Sequence, residues 1–227
     1  MSRSDPLEDP DGWLRRTVLV DLAPPVALDA LEPELSPGER AYASTLPERR
    51  RRTYVGGRAA MRRALAGLGV ADAAEIGVDE RGAPVLPSGV AGSIAHKDEV
   101  AVAHAARSAD GSTLGVDVEL SRRLSDGVVR RVLRDEELEE LALRGVLAAS
   151  EVALERFAVK EAIYKAIDPF LRRYVGFREV RLCETRGGLL RAEGEAIEGL
   201  DVVARVARVR GPRGLDLVLA LAHARSR

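Results

Sequence analysis

Residues 114–120 read Leu-Gly-Val-Asp-Val-Glu-Leu, and this stretch decides the interpretation of the fold. Its aliphatic, partly β-branched pattern predicts a strand. Because side chains alternate across a strand, Asp117 and Glu119 share one face, and the aliphatic residues between them lie on the other. Two adjacent carboxylates repel each other unless a cation or a base lies between them, and Mg²⁺ binds carboxylates together with phosphate oxygens. The alternative is an exposed acidic strand edge.

A strong helix is predicted downstream at about 150–167, with its first residue as N-cap and Pro169 as its end. Glu161 falls on or beside the apolar stripe of this helix, where a carboxylate needs a partner. Two hypotheses stay open. In the first, Lys165 forms an ordinary helical ion pair with Glu161. In the second, Glu161 is a third metal ligand, and Lys160 and Lys165 neutralise phosphate beside it.

An earlier helix, at about 47–68, carries a run of four arginines at 49–52. Such a run is usually the solvated face of a helix. However, Arg50 and Arg58 are about two turns apart, so their side chains could converge on one anionic group. The glycine pair at 56–57 weakens this helix and indicates either a kink or the close approach of another backbone or a ligand.

The remaining pattern predicts strands before, between and after these helices, with a hairpin at 90–105. Strands are expected at 17–22, 90–95 and 100–105, and His96 lies at the turn of the second and third. A histidine there is either solvated or binds phosphate through a ring N–H. Residues 81–84 form a turn, and the last 50 residues predict three or four antiparallel strands.

Composition excludes several classes of protein. The chain has 227 residues, and its 35 basic residues almost balance 36 acidic ones, which argues against a protein that coats nucleic acid. Lysine supplies three of the basic residues, at 97, 160 and 165. The single cysteine, Cys183, cannot form an internal disulfide. The sequence shows no signal peptide and no apolar run long enough for a membrane span. We therefore expect a cytoplasmic protein without a membrane span.

Four stretches follow one another along the chain: RRRTYVGGR at 50–58, RGAPVLPSGVAGSIAH at 81–96, GVDVEL at 115–120 and FAVKEAIYK at 157–165. Together they resemble the 4′-phosphopantetheinyl transferases, specifically the two-domain surfactin- and enterobactin-synthetase type, and the GSIAH element is closest to the enterobactin branch. The resemblance covers about residues 48–180, and its most specific parts are the GVDVE strand and the KEAIYK helix.

The resemblance implies a transferase that moves the phosphopantetheine arm of coenzyme A to a serine of an apo carrier protein and releases adenosine 3′,5′-bisphosphate. It implies Mg²⁺, or Mn²⁺ in its place, bound by Asp117, Glu119 and Glu161. Glu161 or a metal-bound water would be the base, with Lys165 as the second catalytic residue. Coenzyme A would be bound by the following residues: Arg50, Arg58, Arg81, His96, Lys160 and Lys165.

The implied fold is α+β, with two similar α/β subdomains in one chain that form a pseudo-dimer and hold the active site in the cleft between them. We expect a loose tail at 1–15, a nucleotide-binding subdomain at 16–110 and a metal-binding subdomain at 111–227. Lys165 should point into the cleft, and Lys160, about 100° around the helix from Glu161, should lie at the rim. The expected partners are carrier proteins or carrier domains and coenzyme A, without nucleic acid, and the enzyme should be a monomer.

Three positions depart from the family pattern. Ala95 stands where a hydroxyl residue usually precedes the histidine, Ala83 stands where lysine is common, and Phe157 replaces tryptophan. Two other functions remain open at this stage. One is a different Mg²⁺-dependent phosphotransfer or phosphodiesterase enzyme, and the other is an arginine-rich module that binds nucleic acid without catalysis.

Overall fold

The computed structural model describes residues 12–23, 27–70, 75–97, 99–108, 110–143, 146–185 and 187–227. No helix within these ranges is long and apolar enough to cross a membrane. Most of the predicted loose tail, residues 1–11, lies outside the described residues.

The first half of the chain alternates short helices with a small antiparallel sheet. Its elements are α1 (Gly12–Arg16), β1 (Val18–Asp21), α2 (Ala27–Leu31), α3 (Pro37–Ser44), α4 (Glu48–Gly67), β2 (Gly77–Val78), β3 (Pro84–Val85), β4 (Val90–Lys97) and β5 (Val100–Arg107). Strands β1, β5 and β4 pair in that order, and α4 packs on β5 and β1. The predicted hairpin is thus confirmed as β4–β5, with Ile94 opposite Ala103.

The glycine pair of α4 lies where the helix meets the strands. A Cβ atom on Gly56 would lie 2.1 Å from Cδ2 of Leu22, which is fully buried at the end of β1. A larger residue at position 56 would force this buried leucine to move, so the glycine favours close packing of α4 against its sheet. The helix is continuous through both glycines. The close neighbour of Gly56 is a side chain, where the sequence suggested another backbone or a ligand.

The second half repeats this arrangement on a larger scale. Its elements are β6 (Thr113–Leu120), α5 (Asp126–Val132), α6 (Asp135–Ala142), α7 (Val146–Leu171), β7 (Arg181–Glu184), β8 (Leu190–Glu193), β9 (Leu200–Arg210) and β10 (Asp216–Ser226). In this part of the chain the strands form an antiparallel sheet in the order β6-β10-β9-β8-β7, and α7 packs across β6, β10 and β9.

Gly115 sets the distance between β6 and α7. A Cβ atom at this position would lie 1.9 Å from the carbonyl oxygen of Ala162 and 2.7 Å from the amide nitrogen of Ala166. Two residues earlier, the Thr113 hydroxyl donates a hydrogen bond to the carbonyl of Ala166. The strand that carries Asp117 and the helix that carries Glu161 are thus in backbone contact.

Helix α7 is longer than the sequence predicted. It begins at Val146 instead of Ser150, because good helix formers precede that serine, and it ends at Leu171. Pro169 lies inside its last turn and does not end it. Proline removes one N–H donor, and just beyond the helix end the N–H of Arg172 donates to the carbonyl of Asp168 at 2.9 Å.

Three apolar cores hold the molecule together. One lies under α4, one lies under α7, and the third joins the two halves through facing residues of β4, β5, β6 and β10. Trp13 belongs to this shared core and is 1% exposed. Residues 12–15 therefore form part of a packed helix, which corrects the prediction of a tail that extends to residue 15. The predicted α+β class is confirmed, with one long helix on an antiparallel sheet in each half.

Candidate functional site

A cavity of about 720 Å³ lies between the two halves of the molecule. Its walls come from α4, the β2–β3 hairpin and β4 of the first half, and from the start of β6 and the C-terminal part of α7 in the second. Five of the six side chains predicted to bind coenzyme A line this cavity: Arg50, Arg58, Arg81, His96 and Lys165.

Arg58 is buried in the wall of the cavity and held in one orientation. Its guanidinium stacks over the ring of Tyr54 at 4.7 Å and donates to the carbonyl of Gly77 at 3.3 Å. Its Nε atom is buried without a hydrogen-bond partner among the described residues. A buried, unsatisfied cationic donor costs free energy, which an anionic ligand could recover. Arg50, on the same helix, is exposed and lines the same cavity.

Four other arginines of α4 pair with glutamates. Arg51 pairs with Glu32 at 2.5 Å, and Arg63 pairs with Glu34 at 2.6 Å. Two further pairs of this kind join Arg52 to Glu48 and Arg62 to Glu39. The run therefore does not present a uniform basic surface of the kind that binds nucleic acid.

Arg81 spans the cavity from one half to the other. Its Nε donates to Oδ2 of Asp168 at 2.6 Å, and a second N–H of the same guanidinium donates to Oδ1. The two residues are 87 positions apart, so this bidentate pair ties the β2–β3 hairpin to the end of α7. Arg81 can contact a phosphate only by sharing or leaving Asp168.

His96 lines the cavity, and the charges around it indicate the sign of the electrostatic potential there. Its pKa is lowered, first by partial burial and then by the positive charges of Lys165 and Arg50. The imidazole is therefore neutral at pH 7, and the potential around it is positive. Such a cavity attracts anions of the phosphate class.

The three predicted metal ligands lie beside this cavity and not in its wall. Asp117 and Glu119 are 7% and 5% exposed, and Glu161 is half-buried. Burial is the main cause that raises the pKa of all three carboxyl groups. The negative charges of Asp117 and Glu119 raise the pKa of Glu161 further, so the three groups are close enough to repel one another.

Two lysines neutralise part of this negative charge. Lys165 Nζ donates to Oδ1 of Asp117 at 2.8 Å and to the carbonyl of Val116 at 2.9 Å. Lys97 Nζ lies 3.0 Å from Oε1 and 2.9 Å from Oε2 of Glu119, with a hydrogen bond to Oε1. The sequence suggested a helical ion pair between Lys165 and Glu161 as one alternative. In the structure Lys165 instead binds Asp117 on β6.

The donor set suits a hard cation. Oδ2 of Asp117 is buried and accepts no hydrogen bond from the described residues. Oε2 of Glu119 likewise lacks a hydrogen bond within the described ranges, but Lys97 Nζ lies 2.9 Å from it as an ion pair. All the available donors are carboxylate oxygens, which Mg²⁺ prefers. Within the described ranges, no three acidic, histidine or cysteine side chains form a ready-made metal site. The binding of a metal by Asp117, Glu119 and Glu161 therefore stays a prediction.

Lys160 does not lie at the rim of the cavity, and the prediction of its position is wrong. Its side chain is fully buried, and Nζ donates to Glu137 Oε2 at 2.7 Å, to the carbonyl of Val132 at 2.9 Å and to the carbonyl of Phe177 at 3.1 Å. The angle around α7 was right, but α5, α6 and the turn at Phe177–Glu179 cover that face. Its three N–H groups are all used, so none remains for a phosphate.

Sequence reasoning missed the roles of Lys97 and Asp168. Lys97 is one of the three lysines and follows His96 directly, which was the available signal. Asp168 carried no signal, because its partner Arg81 is distant in the sequence.

Comparisons with known proteins agree on one family. Residues 38–106 match the family described as 4′-phosphopantetheinyl transferase N-terminal domain, and residues 113–210 match the 4′-phosphopantetheinyl transferase superfamily. The phosphopantetheinyl transferase Npt of Nocardia iowensis is 38% identical over 64% of this chain and 64% of its own length. The transferase Svp of Streptomyces mobaraensis is 34% identical over 65% of this chain and 60% of its own length.

The chain therefore spans less than two thirds of the length of the curated relatives it matches. Among solved structures, the holo-[acyl-carrier-protein] synthase of Thermotoga maritima is 21% identical, with a TM-score of 0.34 over 50% of this chain and 63% of that chain. The apo-ACPS structure from Chronobacterium ammoiniagenes is 20% identical, with a TM-score of 0.37 over 50% of this chain and 96% of that chain. These scores are too low to support a conclusion. The two family matches and the two curated relatives together establish that the chain belongs to the 4′-phosphopantetheinyl transferase superfamily.

Proposed function

We propose that this protein transfers the 4′-phosphopantetheine arm of coenzyme A to a serine of an apo carrier protein and releases adenosine 3′,5′-bisphosphate. One observation carries the proposal. Lys165 lines a positively charged cavity and at the same time binds Asp117 of a buried carboxylate group. A site for a polyanionic nucleotide thus adjoins a site for a cation, as a transfer between diphosphate and hydroxyl requires.

Each residue has a defined part in this reaction. Arg50, Arg58 and His96 bind the phosphates of coenzyme A, including its 3′-phosphate. Arg81 joins them when phosphate replaces Asp168. Lys165 lies between the cavity and the carboxylates, where it stabilises the charge that grows on the departing bisphosphate.

Asp117, Glu119 and Glu161 would hold Mg²⁺, with Mn²⁺ as a substitute. The bound cation would neutralise the diphosphate and make its phosphorus more electrophilic. Glu161 accepts the proton of the serine hydroxyl. The serine oxygen forms a bond to the phosphorus that carries the pantetheine arm, and the bond from that phosphorus to the bridging oxygen breaks.

The proposal extends to partners and place. The acceptor is a carrier protein or carrier domain of a peptide, polyketide or fatty-acid synthase, and the enzyme acts as a monomer in the cytoplasm. Within the superfamily we propose the enterobactin-like branch, on the GSIAH element at 92–96 and Phe157.

The test is the intact mass of an apo carrier protein after incubation with this protein, coenzyme A and Mg²⁺. We expect the mass to rise by one phosphopantetheine group, and EDTA or the Asp117→Asn variant to prevent the rise. Asp216→Asn, which changes an exposed aspartate at the start of β10, is the matched control and should behave like the wild type. Release of the bisphosphate without a gain in carrier mass would indicate a phosphodiesterase instead.

A further inference from the structure

Lys97 joins the two halves of the protein at the carboxylate group. It is the last residue of β4 in the first half, and its partner Glu119 lies on β6 in the second. Its Nζ atom lies within 3.0 Å of both oxygens of a carboxylate that is almost fully buried. The other two lysines pair within the second half, Lys160 with Glu137 and Lys165 with Asp117.

The two lysines at the carboxylates do not obstruct a cation equally. Lys165 binds Oδ1 of Asp117, and Oδ2 accepts no hydrogen bond within the part of the chain that the structure describes. Lys97 lies across the whole carboxylate of Glu119, so both oxygens face an ammonium group. A cation cannot approach Glu119 along these directions while Lys97 keeps its position, because the two positive charges would be in contact.

The charges lead to the same conclusion. The three carboxylates already lie beside the ammonium groups of Lys97 and Lys165, and Arg122 is near enough to Glu119 to lower its pKa. A divalent cation would add two further positive charges at close range. Its binding therefore favours the withdrawal of one lysine. Lys97 is the one whose contacts are confined to the carboxylate, whereas Lys165 is also anchored by the carbonyl of Val116.

We propose that Lys97 is a displaceable counter-ion of Glu119, which neutralises this carboxylate in the metal-free protein and is displaced when a divalent cation binds. This inference rests on the proposed metal-dependent transfer. Lys97 acts through Glu119, so it is a positioning residue. By linkage, cation binding and the Lys97–Glu119 contact weaken each other to the same extent. Cation binding therefore also releases one contact between the β4–β5 hairpin and the second half.

The test is calorimetric titration of Mg²⁺ into the full-length protein without coenzyme A, for the wild type and two variants. Lys97→Met should bind Mg²⁺ roughly fivefold more tightly or better, the lower end of typical coupling between sites. Lys97→Arg, whose guanidinium can hold both oxygens of Glu119, should bind more weakly than the wild type. In thermal unfolding, Lys97→Met should gain more stability from Mg²⁺ than the wild type gains.

The matched control is Arg213→Met. Arg213 also joins the second half to the first, through Glu99 at the tip of the β4–β5 hairpin at 2.6 Å and Asp21 at the end of β1 at 3.1 Å, but it pairs with none of the three carboxylates. Its loss should leave the Mg²⁺ affinity unchanged. Equal affinities of wild type and Lys97→Met, or weaker binding by the variant, would overturn the proposal and make Lys97 a plain structural tie. Absence of Mg²⁺ binding in all four proteins would overturn the metal site as well.

Discussion

Two clusters of charged residues lie against different faces of α7, and they differ in how fully their polar groups are hydrogen-bonded. In the closed cluster, Arg156, Lys160 and Glu137, the charged groups satisfy one another and nearby carbonyls. In the open cluster, Asp117, Glu119, Glu161, Lys97 and Lys165, two buried carboxylate oxygens lack hydrogen bonds from the described residues. Both clusters contain a lysine of the same KEAIYK segment. Unsatisfied groups, and not charge alone, distinguish a candidate site from a structural ion network.

The largest effect expected from this comparison concerns the stability contributed by Lys160. Lys160→Met should lower the free energy of unfolding by about 3–5 kcal/mol, because Glu137 would be left buried with one fewer cation. Chemical denaturation measures this loss. The molecules that remain folded should keep kcat within about twofold, since Lys160 lies away from the cavity. Arg173→Met, which removes an exposed pair with Glu179, is the control and should change stability by at most about 1 kcal/mol.

The matching experiment on the open cluster concerns Lys165. Lys165→Met should lower kcat by about 10²-fold, the scale of losing one preorganised charge contact in the transition state. Steady-state kinetics with an apo carrier protein measures it, and circular dichroism checks the fold. If kcat stays near the wild-type value while stability falls, Lys165 would belong with the closed cluster, and the distinction between the two would fail.

Arg58 extends the comparison to the cavity wall, because its buried Nε also lacks a partner among the described residues. Coenzyme A should be used about tenfold better than dephospho-coenzyme A, as expected for one charge-assisted contact. Arg58→Lys should lose most of this ratio of kcat/KM values. Arg51→Met alters an arginine of the same helix that Glu32 already neutralises, so it should keep the ratio. A wild-type ratio near one would remove the 3′-phosphate from the assignment.

The smallest effect concerns pH. The folded-state pKa of Glu161 is raised above its ordinary value of 4.5, so the folded protein holds this proton more tightly than the unfolded chain. Stability from this group is present below the unfolded pKa and is lost as pH rises through the folded pKa. Without metal, Glu161→Gln should thus be more stable than the wild type at pH 7.5. The difference should vanish toward pH 4. Thermal unfolding across this pH range measures it, and a difference that grows as pH falls would contradict the sign.

The sequence predicted the helices and strands well, because apolar periodicity and turn residues report local structure directly. It placed Asp117 beside Glu119 correctly, since alternation along a strand is a fixed property of the backbone. It could not place Lys160, because an angle around a helix says nothing about which elements cover that face. The pairs Arg81–Asp168 and Lys97–Glu119 were equally hidden, because each joins the two halves across the cleft. The sequence alone did not predict which charged residues from distant parts of the chain pair with each other.

The backbone contact at Gly115 has a consequence for how the site tolerates mutation. Since β6 and α7 meet without a side chain between them, their spacing cannot shrink further, whatever residues fill the surrounding core. The contact therefore sets a lower limit on the distance between β6 and α7. Substitutions elsewhere in the core can loosen the protein, yet they cannot draw Asp117 and Glu119 closer to Glu161 and Lys165. Any residue larger than glycine at position 115 would instead force the backbones of β6 and α7 apart, and with them the carboxylates of Asp117 and Glu119 from Glu161 and Lys165.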